Sequence, residues 1–149
     1  MAAAQLPFID EHRRTVAAPA SATWEALRSV VAKNMNGLPS ALASIWGLEP
    51  LRADGSRPLD TGSPLPGFRV VDATPTRRLI LDGRHRFSRY RLEFLLDDAP
   101  AGTVLRARSY AVFPGPHGAA YRAVIIGSRG HVVAVRRLLR AIAQRAERR

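Results

Sequence analysis

The feature that most constrains this chain is a two-residue alternation running from Arg86 to Phe113. Tyr90, Leu92, Phe94 and Leu96 alternate with Arg89, Arg91, Glu93 and Leu95. Beyond Asp97-Asp98-Ala99-Pro100-Ala101-Gly102, the less charged Leu105, Ala107, Ser109, Ala111 and Phe113 alternate with Arg106, Arg108 and Tyr110. Successive side chains of a strand point to opposite faces. The pattern therefore predicts two strands, Arg86 to Leu96 and Thr103 to Phe113, joined as a hairpin with one apolar and one charged face. Such a sheet is covered on one side and wet on the other, so the fold must supply an element to cover it.

Register follows from parity. With Leu96 set opposite Thr103, Phe94 meets Leu105, Leu92 meets Ala107 and Tyr90 meets Ser109, while Glu93 faces Arg106 and Arg91 faces Arg108 on the other side. A one-residue slip would bury Arg91, at high cost without a carboxylate partner.

The covering element is legible near the C-terminus. His131, Val135, Leu138, Ile142 and Ala146 recur at helical spacing opposite Arg136, Arg137 and Arg140, with Ser128 as a candidate cap. At the other end, Phe8 to Val16 reads as a strand ending at Ala17-Ala18-Pro19. A helix follows with Trp24, Leu27 and Val31 on one face until Asn34 to Gly37. A second short helix from Pro39 carries Leu42, Ile45 and Trp46 and closes at Gly47. The proline- and glycine-punctuated stretch from Pro50 to Gly67 reads as extended loop, either a lid over a cavity or a passive connection. Phe68 to Ala73 and Arg78 to Asp82 are strands flanking a Thr74-Pro75-Thr76 turn. Pro114 to Gly118 reads as a turn and Ala120 to Ile126 as a further strand.

Composition narrows the chemistry. The 149 residues hold no cysteine, which excludes disulfides, thiolate metal sites and cysteine nucleophiles. The size fits one domain spanning residues 1–149. The net charge of +11 comes from 23 basic residues, of which Lys33 is the lone lysine. That excess suits polyanionic partners, but arginine and alanine richness also follows from GC-rich coding, and a solvated basic surface is the simpler account. No apolar run is long enough to span a membrane and no secretion signal opens the chain, so a cytoplasmic location is expected.

The order strand, two short helices, antiparallel strands and a long C-terminal helix is an α+β layout. Together with Val16-Ala17-Ala18-Pro19-Ala20-Ser21-Ala22-Thr23-Trp24-Glu25-Ala26-Leu27, it resembles the START-like, helix-grip superfamily of polyketide cyclases and lipid-transfer domains. There, a strand ending in Ala-Pro runs into a helix with Trp near its first turn. The resemblance implies a curved antiparallel sheet wrapped around the last helix, leaving a cavity for a hydrophobic small molecule. One departure is the proline-broken stretch Leu48 to Gly67, where relatives usually show two clear strands.

On this reading the pocket is lined by Trp46, Tyr90, Leu92, Phe94, Ser109, Phe113 and Tyr121, apolar walls with a few hydroxyls. His131 either donates to the ligand or serves as a capping or packing residue. The expected function is binding of a lipid- or polyketide-like molecule. The alternative is a cyclase or dehydratase in which Tyr90, Ser109 or His131 orients a carbonyl or moves a proton, and a cavity-facing arginine or a histidine with a carboxylate partner would favour it. A third reading is anionic-surface or nucleic-acid binding through Arg86, Arg89, Arg91, Arg106 and Arg108. A convex, solvated sheet face that discourages edge pairing explains the same cluster more simply, and Glu93, on that face among the arginines, is expected to be an ion-paired surface carboxylate.

Other chemistries lack support. His12, His85, His117 and His131 have no metal-ligand spacing, so no metal is expected. Nucleophile-elbow, Walker and dinucleotide fingerprints are missing, and no cofactor is expected. Gly127-Ser128-Arg129-Gly130 resembles the Gly-x-x-Gly loop of KH domains, but a β-branched segment precedes it where that domain has a helix. Nucleic acid is accordingly disfavoured as a partner, and homodimerisation is left open.

Overall fold

The computed structural model describes residues 6–36, 64–65, 68–85, 88–125 and 129–148. In chain order the elements are β1 (Phe8–Val16), α1 (Ala20–Asn36), β2 (Pro64–Leu65), β3 (Phe68–Thr74), β4 (Arg78–His85), β5 (Ser88–Ala99), β6 (Gly102–Val112), α2 (Gly115–Ile125) and α3 (Gly130–Glu147). The strands form one antiparallel sheet in the order β1-β6-β5-β4-β3-β2, with β1 returning to pair with β6. α3 packs mainly against α1 and β1. The architecture is the expected helix-grip α+β layout.

The core lies between one face of the sheet and the two long helices. Along β6 burial alternates without a break, Thr103, Leu105, Ala107, Ser109 and Ala111 being buried and their neighbours half-buried. Leu92, Phe94 and Leu96 of β5, Leu79 and Leu81 of β4 and Val70 of β3 complete this concave face. α1 contributes Trp24, Leu27 and Val31, as its spacing predicts, together with Ala26 and Val30. Its first turn is tied down by Pro19, whose carbonyl accepts hydrogen bonds from both the amide and the hydroxyl of Thr23 at 3.0 Å.

The hairpin register differs from the parity expectation by two residues. Leu96 pairs with Leu105, Phe94 with Ala107, Leu92 with Ser109 and Tyr90 with Ala111, while Glu93 faces Arg108 and Arg91 faces Tyr110. Tyr90 and Ser109 are therefore not partners, and neither are Glu93 and Arg106. The strands continue through Asp97 and Asp98 to the Ala99–Gly102 pair, leaving only Pro100-Ala101 as the loop. A shift of two keeps every side chain on its predicted face.

What holds β6 in register with β1 is a close approach at Gly102. Its φ is +139°, a backbone conformation open to glycine. A Cβ there would collide with the Val16 carbonyl oxygen and lie 2.8 Å from the Ala18 nitrogen. Beside it the buried Thr103 hydroxyl donates to the Ala18 carbonyl at 2.8 Å, and Thr103 pairs with Val16. The hairpin tip is thus held against the β1–α1 junction.

Three further expectations are corrected. The strand expected from Ala120 is a helix as far as it is described: α2 runs from Gly115 to Ile125, absorbing most of the expected Pro114 to Gly118 turn. Pro116 in its first turn and alanines at 119, 120 and 123 favour a helix. The buried stripe of α3 is Val135, Leu139, Ile142, Ala143 and Ala146, with Leu138 only half-buried. A helix wedged between α1 and β1 buries a wider arc, turned from the one predicted for a helix facing the sheet alone. Arg129, in left-handed conformation, precedes α3 and makes no side-chain cap bond. The segment expected to be all loop contains β2, paired through Pro64 and Leu65 with Arg69 and Phe68; the short helix carrying Trp46 falls outside the described residues.

Two substitutions test this packing by urea denaturation. Gly102→Ala should destabilise by about 3 kcal/mol, since it combines overpacking with a strained φ. Leu139→Ala should cost about 2–5 kcal/mol and Leu138→Ala clearly less; equal losses would contradict the α3 orientation.

Candidate functional site

The concave face changes character along its length. Near the hairpin tip Phe94, Leu105, Ala107 and Leu79 are fully buried under the helices. Toward the other end Phe68 and Tyr90 are only half-buried. Phe68 pairs with Gly83, and Gly83 pairs with Tyr90. With no side chain between them the two rings meet edge to face, centroids 5.0 Å apart, a favoured aromatic geometry.

Ser109 sits in this wall, 5% exposed, with Leu92 opposite on β5 and Asp10 opposite on β1. Among the described residues its Oγ has no hydrogen-bond partner. A buried hydroxyl left unpaired costs about 1–3 kcal/mol, so it is a group that a ligand could satisfy.

The second polar feature lies on β1. The β1–β6 register shifts between Phe8 and Asp10. A bulge of this kind re-aims side chains: Phe8 pairs with Tyr110 on the outer face, while Asp10 pairs with Ser109 on the inner one. His12, two residues on and opposite Ala107, shares the inner face. Its Nε2–H donates to Asp10 Oδ2 at 3.0 Å, the side chains being 15% and 23% exposed. The carboxylate thereby fixes ring orientation and tautomer, leaving Nδ1 as an acceptor. Ser109 and His12 are diagonal neighbours, about 7 Å apart by sheet geometry. They are not a nucleophile–base pair, but both can engage a ligand group lying between them.

The outer face does different work. Arg91 grips Asp82 through two bonds of 2.6 and 2.9 Å, Arg106 binds Asp97 at 2.7 Å, and Arg78 binds Asp72. Glu11 accepts from Arg108 and Arg13, each at 2.7 Å, and these bonds hold its carboxyl below the ordinary value of 4.5. Glu93 accepts from the Tyr110 hydroxyl at 3.3 Å. The strand arginines Arg91, Arg106 and Arg108 are thus ion-paired, and Glu93 is not the partner of Arg106.

Of the expected pocket residues, Tyr90, Leu92, Phe94 and Ser109 share the concave wall. Phe113 lies one residue past β6, half-buried, its ring covered by the Arg122 guanidinium at 5.6 Å. Tyr121 falls in α2 and His131 in the first turn of α3; their side chains, like Trp46, are outside what the structure describes. Sequence reasoning missed Asp10 and His12. Their i, i+2 spacing on a strand was the available signal, since it places two side chains on one face.

Among the described residues no cluster of three or more metal-ligating side chains occurs, and no helix is long and apolar enough to cross a membrane. No family profile and no curated protein matches the chain. Solved structures do. An uncharacterised protein from Rhizobium leguminosarum is similar over 97% of both chains, with TM-score 0.60 and 16% identity. Protein CV1439 from Chromobacterium violaceum is similar over 95% of this chain and 99% of its own, with TM-score 0.59 and 12% identity. DynU16, a protein of the dynemicin biosynthetic locus, matches 87% of this chain with TM-score 0.53 and 19% identity, the match spanning 45% of DynU16. These likenesses show a shared fold.

The Glu11 pairing makes a pH prediction. A folded-state carboxyl value below the unfolded one contributes stability that is fully present above about 4.5 and is lost as pH falls through the folded value. Between pH 6 and pH 3 the urea midpoint should fall more steeply in the wild type than in Glu11→Gln; parallel profiles would contradict the assignment.

Proposed function

We propose that the protein belongs to the START-like superfamily and binds a hydrophobic small molecule of lipid or polyketide type against the concave wall of its sheet. The observation that carries this reading is the buried, unpartnered Ser109 hydroxyl in an otherwise apolar surface. Apolar walls with a few placed polar groups are how such sites gain affinity and orientation. The fold shared with DynU16, which belongs to a biosynthetic locus, supports a small-molecule role. Tyr90, Leu92 and Phe94 supply apolar surface, and Ser109 supplies the hydrogen bond.

A second reading is favoured by one specific observation. The Asp10–His12 pair on the same face is a histidine with a carboxylate partner, an arrangement suited to moving a proton at a bound carbonyl compound in a cyclase or dehydratase. In that case Asp10 orients the ring, His12 Nδ1 takes the proton and Ser109 holds the oxygen.

Native mass spectrometry of freshly purified protein should reveal a non-covalently retained small molecule. Ser109→Ala should lower its occupancy while stabilising the ligand-free protein by up to about 1 kcal/mol, because the unpaired hydroxyl is gone. Unchanged occupancy with lost stability would reject the ligand role of Ser109. If the retained molecule is turned over by the wild type but only bound by His12→Gln, the protein is an enzyme.

A further inference from the structure

Arginine is distributed unevenly in its pairing. On the outer sheet face Arg78, Arg91, Arg106 and Arg108 each bind a carboxylate. At the edge strand the situation reverses. An open groove of about 370 Å³ runs between β1 and α3, lined by Glu11, His12, Arg13, Arg14, Arg136 and Arg140, with the buried Leu139 also against it. Glu11, the one acid in this lining, is already bonded to Arg13 and Arg108. Among the described residues no carboxylate meets Arg14, Arg136 or Arg140.

These three cations come from two elements. Arg14 lies on the inner face of β1 opposite Leu105. Arg136 and Arg140 are four residues apart on α3, where like charges lie one turn apart and destabilise the helix. Unpaired cations gathered on one concavity raise the local positive potential and concentrate anions there. Guanidinium groups present planar forks of donors that match carboxylate and phosphate oxygens. The His12 ring, oriented by Asp10, adds a further polar group to the lining.

We propose that this groove is a binding site for a small molecule carrying a multiply charged oxyanion, held by Arg14, Arg136 and Arg140. The volume suits a compact organic phosphate or polycarboxylate. The groove adjoins the concave wall and shares His12 with it, but its three arginines lie outside the proposed apolar lining, so its occupancy does not depend on that wall binding anything.

Isothermal titration of the full chain with pyrophosphate and with citrate tests the assignment and separates phosphate from carboxylate sources. We expect saturable one-to-one binding of at least one of them. Arg136→Gln/Arg140→Gln should weaken it at least tenfold, and Arg14→Gln, on the other element, should weaken it measurably. Arg137→Gln/Arg145→Gln removes the same charge from the same helix outside the groove and should leave affinity within twofold; circular-dichroism melts confirm that each variant is folded. Equal losses in the two double variants would mean that net charge binds anions, and the site would be rejected. Absence of saturable binding of either probe would also reject it, as would retention only on anionic phospholipid vesicles or on nucleic acid.

Discussion

The approach of Gly102 to the end of β1 is the constraint on which the rest of the structure depends. β6 pairs with β5 on one side and β1 on the other, so its register decides which residues of three strands share a row. The backbone of residue 102 fits against Val16 and Ala18 because no Cβ intervenes, and Thr103 secures the contact through the Ala18 carbonyl. Seven residues up β6 from Gly102, that register sets Ser109 between Leu92 and Asp10. A junction that contributes no functional group itself therefore determines the composition of the candidate site.

The two faces of the sheet have separate electrostatic roles. The outer one is a lattice of arginine–carboxylate pairs, partly exposed and individually weak. Its main effect is to keep a long antiparallel sheet charged and wet, which opposes edge-to-edge association. The inner face is dry at the hairpin end and more open where Phe68 meets Tyr90, while Asp10 and His12 stand on the edge strand β1 at the other side of the sheet. Polar groups there are few, and each is placed by a specific departure from regularity: Asp10 by the bulge at the start of β1, and the Phe68–Tyr90 contact by Gly83.

Much of this was legible in the sequence. Period-two alternation assigned the faces of β5 and β6 correctly even though the register was two residues off, since parity survives any even shift. The Ala-Pro entry to α1 and its Trp24, Leu27, Val31 stripe were also readable, because local spacing and proline geometry act within a few residues. α2 was not: its β-branched end mimicked a strand, and alanine content and Pro116 decided otherwise. The buried arc of α3 was misplaced by one position, Leu139 for Leu138, because the arc depends on packing against both α1 and β1.

The division between the two levels follows from range. Side-chain parity, helical periodicity and turn chemistry are properties of neighbouring residues, and they determined the fold class, the apolar wall and the charged outer face. The meeting of Asp10 with Ser109, nearly one hundred positions apart by the rule that strand partners share a face, required the return of β1 beside β6. The convergence of Arg14 with Arg136 and Arg140 likewise required α3 to lie against that edge strand. Only tertiary structure decided these, because a bulge, a missing Cβ and the arc of a helix shared between two neighbours leave no periodic trace in the chain.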